Sequence, residues 1–428
     1  MIAPTSTSRT SLEHAAADRT RDARPRLAIC TALEATSGKR DGSFVLTRKF
    51  LEGVREYGRY WPGSIVVWVQ RLTQADGNLD HVEVHPSELP FDLQWIEGDE
   101  RDGDRFLPAI RSADLVLAAL VDRHVALAEL CQRQGVPLVY VSEYSIKTRQ
   151  QIVRAETRNP IVRWRRHVWT TRLEDAYCDA VRRAAGVQCN GLPTHNAYKS
   201  LNPRALLYFD TRVRAEQLVS KATLTHRLDE LRQGGAIRLA FSGRLTAMKG
   251  PDHLPLVARE LKRLGVAFTF DVCGGGELEG RMRSDIARFG LADCLRLRGV
   301  LDFERELLPF VAREVDVFVC CHRQGDPSCT YLETYSCGVP IVGYDNEAFA
   351  GLAAASNVGG PGWVTPMDDP ITLARRIADL ANRREEIAAA SHNALAFAAR
   401  HTFEHTMENR VQHMLECMRA RSNQPAPA

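Results

Sequence analysis

Short runs of mostly apolar residues recur along this chain of 428 residues, each stopping at glycine or polar residues and followed by apolar side chains at helical spacing. Strands that are apolar over nearly their whole length have both faces covered, and helices inserted between them supply the cover. The pattern therefore restricts the chain to an α/β architecture with parallel sheets. It is densest from Ile237 to Asn346. That stretch opens with Ile237–Phe241 and Ser242-Gly243-Arg244-Leu245-Thr246-Ala247-Met248-Lys249-Gly250. It closes with Ser328-Cys329-Thr330-Tyr331-Leu332-Glu333 and Cys337-Gly338-Val339-Pro340-Ile341-Val342.

Taken in order, the first half predicts strands at Arg26–Cys30, Ile65–Val69, Leu93–Ile96, Leu115–Leu120, Val136–Val141, Val187–Cys189 and Leu206–Asp210. Ser43 is expected to cap a helix carrying Phe44, Leu46, Phe50, Leu51 and Val54. The second half predicts strands at Ile237–Phe241, Phe268–Val272, Leu295–Leu297, Val317–Cys320 and Pro340–Val342. Two closing helices, Glu385–Arg400 and Phe403–Met418, have no strand after them and are expected to wrap back over a domain face. The expected division is a disordered tail at 1–25, a domain at 26–232 and a second at 236–400. A helix at 401–421 is expected to pack back on the first domain, and 422–428 to form a second disordered tail. The polar helix and Gly-Gly pair within 214–235 mark the boundary. The architecture is two Rossmann-like domains facing across a cleft.

Composition adds exclusions. With 44% hydrophobic residues, 25% charged and a net charge of +3, nothing favours a nucleic-acid partner. The eleven cysteines include no C-x-x-C pair, against a zinc ribbon or a thioredoxin-type site, and a reducing cytosol is expected. No run of eighteen apolar residues occurs, and the first twenty-five residues lack the apolar segment of a secretory signal.

The chemistry sits in two loops. Arg244 and Lys249 suit two phosphates, with Gly243 and Gly250 keeping the backbone close to the ligand. Glu333, on the first turns of a helix, suits the diol of a ribose, and the backbone N–H groups of Ser328, Cys329 and Thr330 suit an anion. The alternatives are two solvated cations and a carboxylate serving the helix dipole. Gly274-Gly275-Gly276 follows a strand but fails as a dinucleotide fingerprint, because Glu279 stands where the third glycine belongs. Glu143 follows a buried strand, where ligands bind in open α/β sheets. The basic stretch Lys147–Arg172, with Trp164 and Trp169, reads as a peripheral membrane contact or as a solvated face with both tryptophans in the core. The second is the more ordinary reading.

With these residues assembled, the second half resembles the donor domain of retaining GT-B glycosyltransferases, the group 1 or family 4 class. The shared motifs are G-R-L-x-x-x-K-G at 243–250, the glycine turn at Gly274 and Gly276, and Leu332-Glu333 with Cys337-Gly338-Val339-Pro340 after it. The first half matches only in pattern, with Gly42 in its glycine-bearing loop taken as a binding residue. The resemblance implies transfer of a sugar from a nucleotide diphosphate sugar to a glycan, lipid or small molecule. It implies retention of configuration and no cofactor or metal beyond the donor. Arg244 and Lys249 would neutralise the leaving group, and Glu333 would bind ribose. The family's first acid falls at Gly325, with Asp326 beside it as a substitute. The family's histidine falls near Glu143, where an acid could orient the acceptor or stabilise positive charge on the sugar. The two departures leave open a nucleotide-sugar-binding protein of the same fold with impaired catalysis. The expected location is cytoplasmic, peripheral at the inner face of a membrane if the basic stretch binds one.

Overall fold

The computed structural model describes residues 24–72, 81–98, 103–157, 159–325, 327–354 and 360–422. Asp326, the tail at 1–23 and residues 423–428 lie outside the described residues. Pro25 does not fit the expected tail, because its carbonyl accepts a hydrogen bond from the Trp61 indole at 3.0 Å.

Among the described residues the first sheet is built from β1 (Arg26–Ser37), β2 (Phe44–Thr47), β3 (Ser64–Arg71), β4 (His81–Val84) and β5 (Asp92–Trp95). It continues with β6 (Leu115–Ala119), β7 (Leu138–Ser142), β8 (Gly186–Asn190) and β9 (Ala205–Tyr208). Seven strands run parallel in the order β5-β3-β1-β6-β7-β8-β9. The second sheet holds β10 (Ile237–Ser242), β11 (Phe268–Cys273), β12 (Leu295–Gly299), β13 (Val317–Cys320), β14 (Ile341–Tyr344) and β15 (Gly362–Thr365). All six are parallel, in the order β12-β11-β10-β13-β14-β15. Strand order reverses beside β1 and beside β10, which opens a crevice above the carboxyl ends of each sheet. The interior strands are buried along almost their full length, as their continuous apolar sequences require.

Two expectations change. The helix capped by Ser43 is instead a hairpin: β1 runs on to Ser37, and β2 pairs antiparallel with it and with β4. Phe44 and Leu46 are buried while Val45 and Thr47 are half-buried, the period of two that belongs to a strand. The helix starts at Arg48, and Thr47 caps it by accepting from the Phe50 N–H. Second, the helix Lys221–Gln233 sits in the core of the second unit through Leu224, Leu228 and Leu231, so the chain crosses between units before it. Of the two closing helices, Phe403–Ser422 lies against the first unit, burying Met407, Val411 and Met414 there. The helix Arg384–Ala399 keeps Ile387, Ala394 and Phe397 in the second core.

Candidate active site

The loops after β10, β11 and β12 lock together through their backbones. The Gly243 N–H donates to the Cys273 carbonyl at 3.0 Å and the Leu245 N–H to that of Gly275 at 2.9 Å. The Gly274 N–H reaches the Gly299 carbonyl at 2.6 Å. A Cβ on Gly274 would lie 2.0 Å from the Gly243 carbonyl oxygen, so no larger residue permits this approach. The locked loops present Arg244 and Lys249 to a cleft of about 830 Å³. Arg244 is exposed and has no carboxylate within ion-pair distance among the described residues, whereas Lys249 is buried at 7% exposure. The Lys249 ammonium donates to Ser328 Oγ at 3.3 Å. Beneath the loop, Arg323 bonds the Ala247 carbonyl at 2.8 Å and pairs with Asp252 at 2.8 Å. Arg323, distant in the chain, thus ties together residues on either side of Lys249 and clamps the loop.

Opposite stands the N-terminus of the helix Cys329–Ser336, with Ser328, Cys329 and Thr330 lining the same cleft. Glu333, one turn in, is buried at 8% and also lines it. Its Oε1 accepts from Arg212 Nε at 2.7 Å, and the Arg212 guanidinium lies 3.5 Å from the centre of the Phe303 ring. Arg212 thus fixes the rotamer of Glu333.

The first unit supplies the other wall from its strand ends. Glu143 follows β7, Asn190 closes β8, and Asp210 lies just past β9; all three line the cleft. Glu143 accepts from Asn190 Nδ2 at 2.7 Å and from the Tyr208 hydroxyl at 3.2 Å. Burial, aided by the nearby Asp210 charge, raises its pKa above the ordinary carboxylate value. At Asp210 burial pulls the same way, but the charge and hydrogen bond of Lys49, with the Cys329 hydrogen bond and the Arg410 charge, together outweigh it and leave this carboxyl below its ordinary value. Lys49 Nζ meets Asp210 Oδ2 at 2.5 Å and Cys329 Sγ at 3.1 Å, joining the two units across the cleft. Two adjacent carboxylates are thereby driven apart in acidity, one held ionised and one protonated more readily.

Arg244, Lys249, Glu143, Gly243, Gly274, Gly276, Ser328, Cys329, Thr330 and Glu333 therefore line one crevice. Gly42 does not: it turns the β1–β2 hairpin, with His85 Nε2 3.5 Å from where its Cβ would be. Its expected place assumed that β1 ended at Cys30. At Gly325 a Cβ would fit tightly, 3.0 Å from Glu347 Cβ and 3.3 Å from Thr148 Oγ1. Its backbone is held by the first unit, with Thr148 Oγ1 donating to its carbonyl at 3.1 Å and its N–H donating to Gln151 at 2.9 Å. Trp164 and Trp169 are 66% and 55% exposed, which removes the reading of two core tryptophans. Lys49, Asn190, Asp210 and Arg212 were not anticipated as site residues. Asn190 and Asp210 share with Glu143 the signal of a polar residue ending a buried strand, and Arg212 has none. Among the described residues no three His, Cys, Asp or Glu side chains gather to hold a metal ion.

Residues 225–397 match the family model of glycosyl transferases group 1. A putative colanic acid biosynthesis glycosyltransferase, WcaL of Salmonella typhimurium, is 26% identical over 167 residues, 38% of this chain and 40% of that protein. The 2-deoxystreptamine N-acetyl-D-glucosaminyltransferase of Streptomyces fradiae is 29% identical over 33% of each chain. The matches thus span well under half the length of these relatives. Among solved structures, Anabaena HepE in complex with UDP superposes with a TM-score of 0.61 at 14% identity, over 91% of this chain and 99% of its own. Sucrose-phosphate synthase from Thermosynechococcus elongatus gives 0.61 at 12% identity, over 93% of this chain and 100% of its own. The chain thus has the GT-B fold, and the match to the group 1 glycosyl transferase model falls within its second unit.

Proposed function

We propose that this protein is a retaining glycosyltransferase of the family 4 class that moves a sugar from a nucleoside diphosphate sugar to an acceptor hydroxyl. The observation that carries the reading is the convergence of Arg244, Lys249 and Glu333 on one cleft, at the N-terminus of the helix Cys329–Ser336. The diphosphate lies between the two cations and the Ser328–Thr330 N–H groups, and the ribose hydroxyls bond Glu333. The bond from the anomeric carbon to the diphosphate oxygen breaks as the acceptor oxygen bonds that carbon, and the acceptor's proton leaves with the diphosphate. Negative charge grows on the diphosphate, where fixed donors are each worth about 3 kcal/mol. Glu143, on the acceptor wall, orients the hydroxyl. The cations take the charge-neutralising role without a metal, so chelator leaves the rate unchanged. UDP and UDP-glucose occupy HepE structures, which makes uridine the first base to try.

The experiment is a panel of nucleotide sugars, read by thermal shift and by release of nucleoside diphosphate with and without acceptors. One donor is expected to stabilise the protein and to turn over, and Lys249→Ala to slow turnover about 100-fold or more. Binding without turnover for every acceptor would leave a binding protein, and binding of none would end the reading.

A further inference from the structure

The helix Pro160–Arg183 leaves the body of the first unit at its start. Every residue from Asn159 to Arg166 is exposed, and the first buried position is Thr170. A helical end without cover normally carries polar residues, yet here Ile161 is 69% exposed, Val162 45%, Trp164 66% and Trp169 55%. At 3.6 residues per turn Ile161, Trp164 and Trp169 fall on the side away from Thr170, and Arg165 falls among them. Arg163 and Arg165 have no carboxylate within ion-pair distance among the described residues, and Arg166 turns back to the Thr157 hydroxyl at 2.8 Å and pairs with Glu156 at 3.9 Å.

We propose that this helical arm docks on the surface of an anionic lipid bilayer. Its composition selects that occupant. The core of a protein interface is depleted of charge, whereas here Arg165 shares one face with the tryptophan rings, and Arg163 flanks them on the same exposed turns. Tryptophan favours the headgroup level of a bilayer, and arginine stems lie along apolar surface while their cations reach phosphates. A short amphipathic segment of this kind lies in the interface plane and is helped by anionic lipid. No described helix is long and apolar enough to cross a membrane, so attachment is peripheral. The preceding helix, Ile146–Glu156, is capped by Ser145, next to cleft-lining Tyr144. A docked arm therefore holds the bilayer one helix away from the cleft.

The test is co-sedimentation of the full chain with phosphatidylcholine vesicles, with and without phosphatidylglycerol, at low and high salt. The wild type is expected to sediment with the anionic vesicles only and to be released by salt. Arg163→Gln with Arg165→Gln and Arg166→Gln should weaken partitioning about 100-fold, and Trp164→Ser with Trp169→Ser should also release the protein. Unchanged circular dichroism would show both variants folded. Failure of the wild type to bind anionic vesicles at low salt would overturn the proposal, as would binding that neither variant reduces. A dimer in ultracentrifugation that the tryptophan variant splits, without vesicle binding, would make the face a contact between copies and overturn it as well.

Discussion

Arg244 and Lys249 share a loop but face the cleft differently, one exposed to solvent and the other almost enclosed. The enclosed cation works in the lower dielectric, so Lys249→Ala is expected to cost more rate than Arg244→Ala, a difference steady-state kinetics would read. Its placement depends on Gly250, which has φ +63° and would bring a Cβ to 2.1 Å from the Cys321 carbonyl oxygen. Gly250→Ala should destabilise the fold by about 1–3 kcal/mol in urea denaturation. Glu143 makes a different prediction. Its folded pKa is raised above the ordinary 4.5, so its stabilising neutral form is fully present below that value and is lost as pH rises through the folded pKa. Glu143→Gln does not titrate. Its Tm relative to wild type should therefore climb from acidic buffer below 4.5 to neutral buffer.

Among elements, those of the second unit were the most legible. Strands β10, β11, β13 and β14 are buried on both faces, so each apolar run coincides with its strand to within a residue or two. The misread elements were short or two-sided. Strands β2 and β4 have four residues each on an antiparallel edge, and Phe44 and Leu46 serve a helical spacing as well as an alternating one. Strand β15, Gly362–Thr365, alternates only weakly and was missed. The helix Lys221–Gln233 reads as a polar helix ending the first domain because its core contacts rest on Leu224, Leu228 and Leu231 among charged neighbours. Convergence of the two cations and Glu333 could be read from loop order. Arg212 and Lys49 could not, because tertiary folding alone brings them there. The closing helix Phe403–Ser422 seals the first core with Met414 fully buried, and Arg410 donates to Gln188 at 2.8 Å. Met414→Ala should cost about 2–5 kcal/mol in denaturant unfolding.

At the scale of the molecule, the two sheets meet through polar contacts at the cleft rim. Ser145 reaches Glu347 at 2.7 Å, Thr148 holds Gly325, and Lys49 joins Asp210 to Cys329. Lys49 therefore links closure to charge. Lys49→Met would leave Asp210 facing an anionic ligand, and calorimetric titration should show nucleoside diphosphate binding weakened about tenfold. The central claim, that one crevice grips the diphosphate and ribose of a donor, is tested most directly by a crystal structure with a nucleoside diphosphate bound. Phosphate oxygens are expected within hydrogen-bond reach of Arg244, Lys249 and the Ser328–Thr330 backbone, with ribose hydroxyls on Glu333. A nucleotide seated elsewhere, or one whose phosphates avoid both cations, would contradict it.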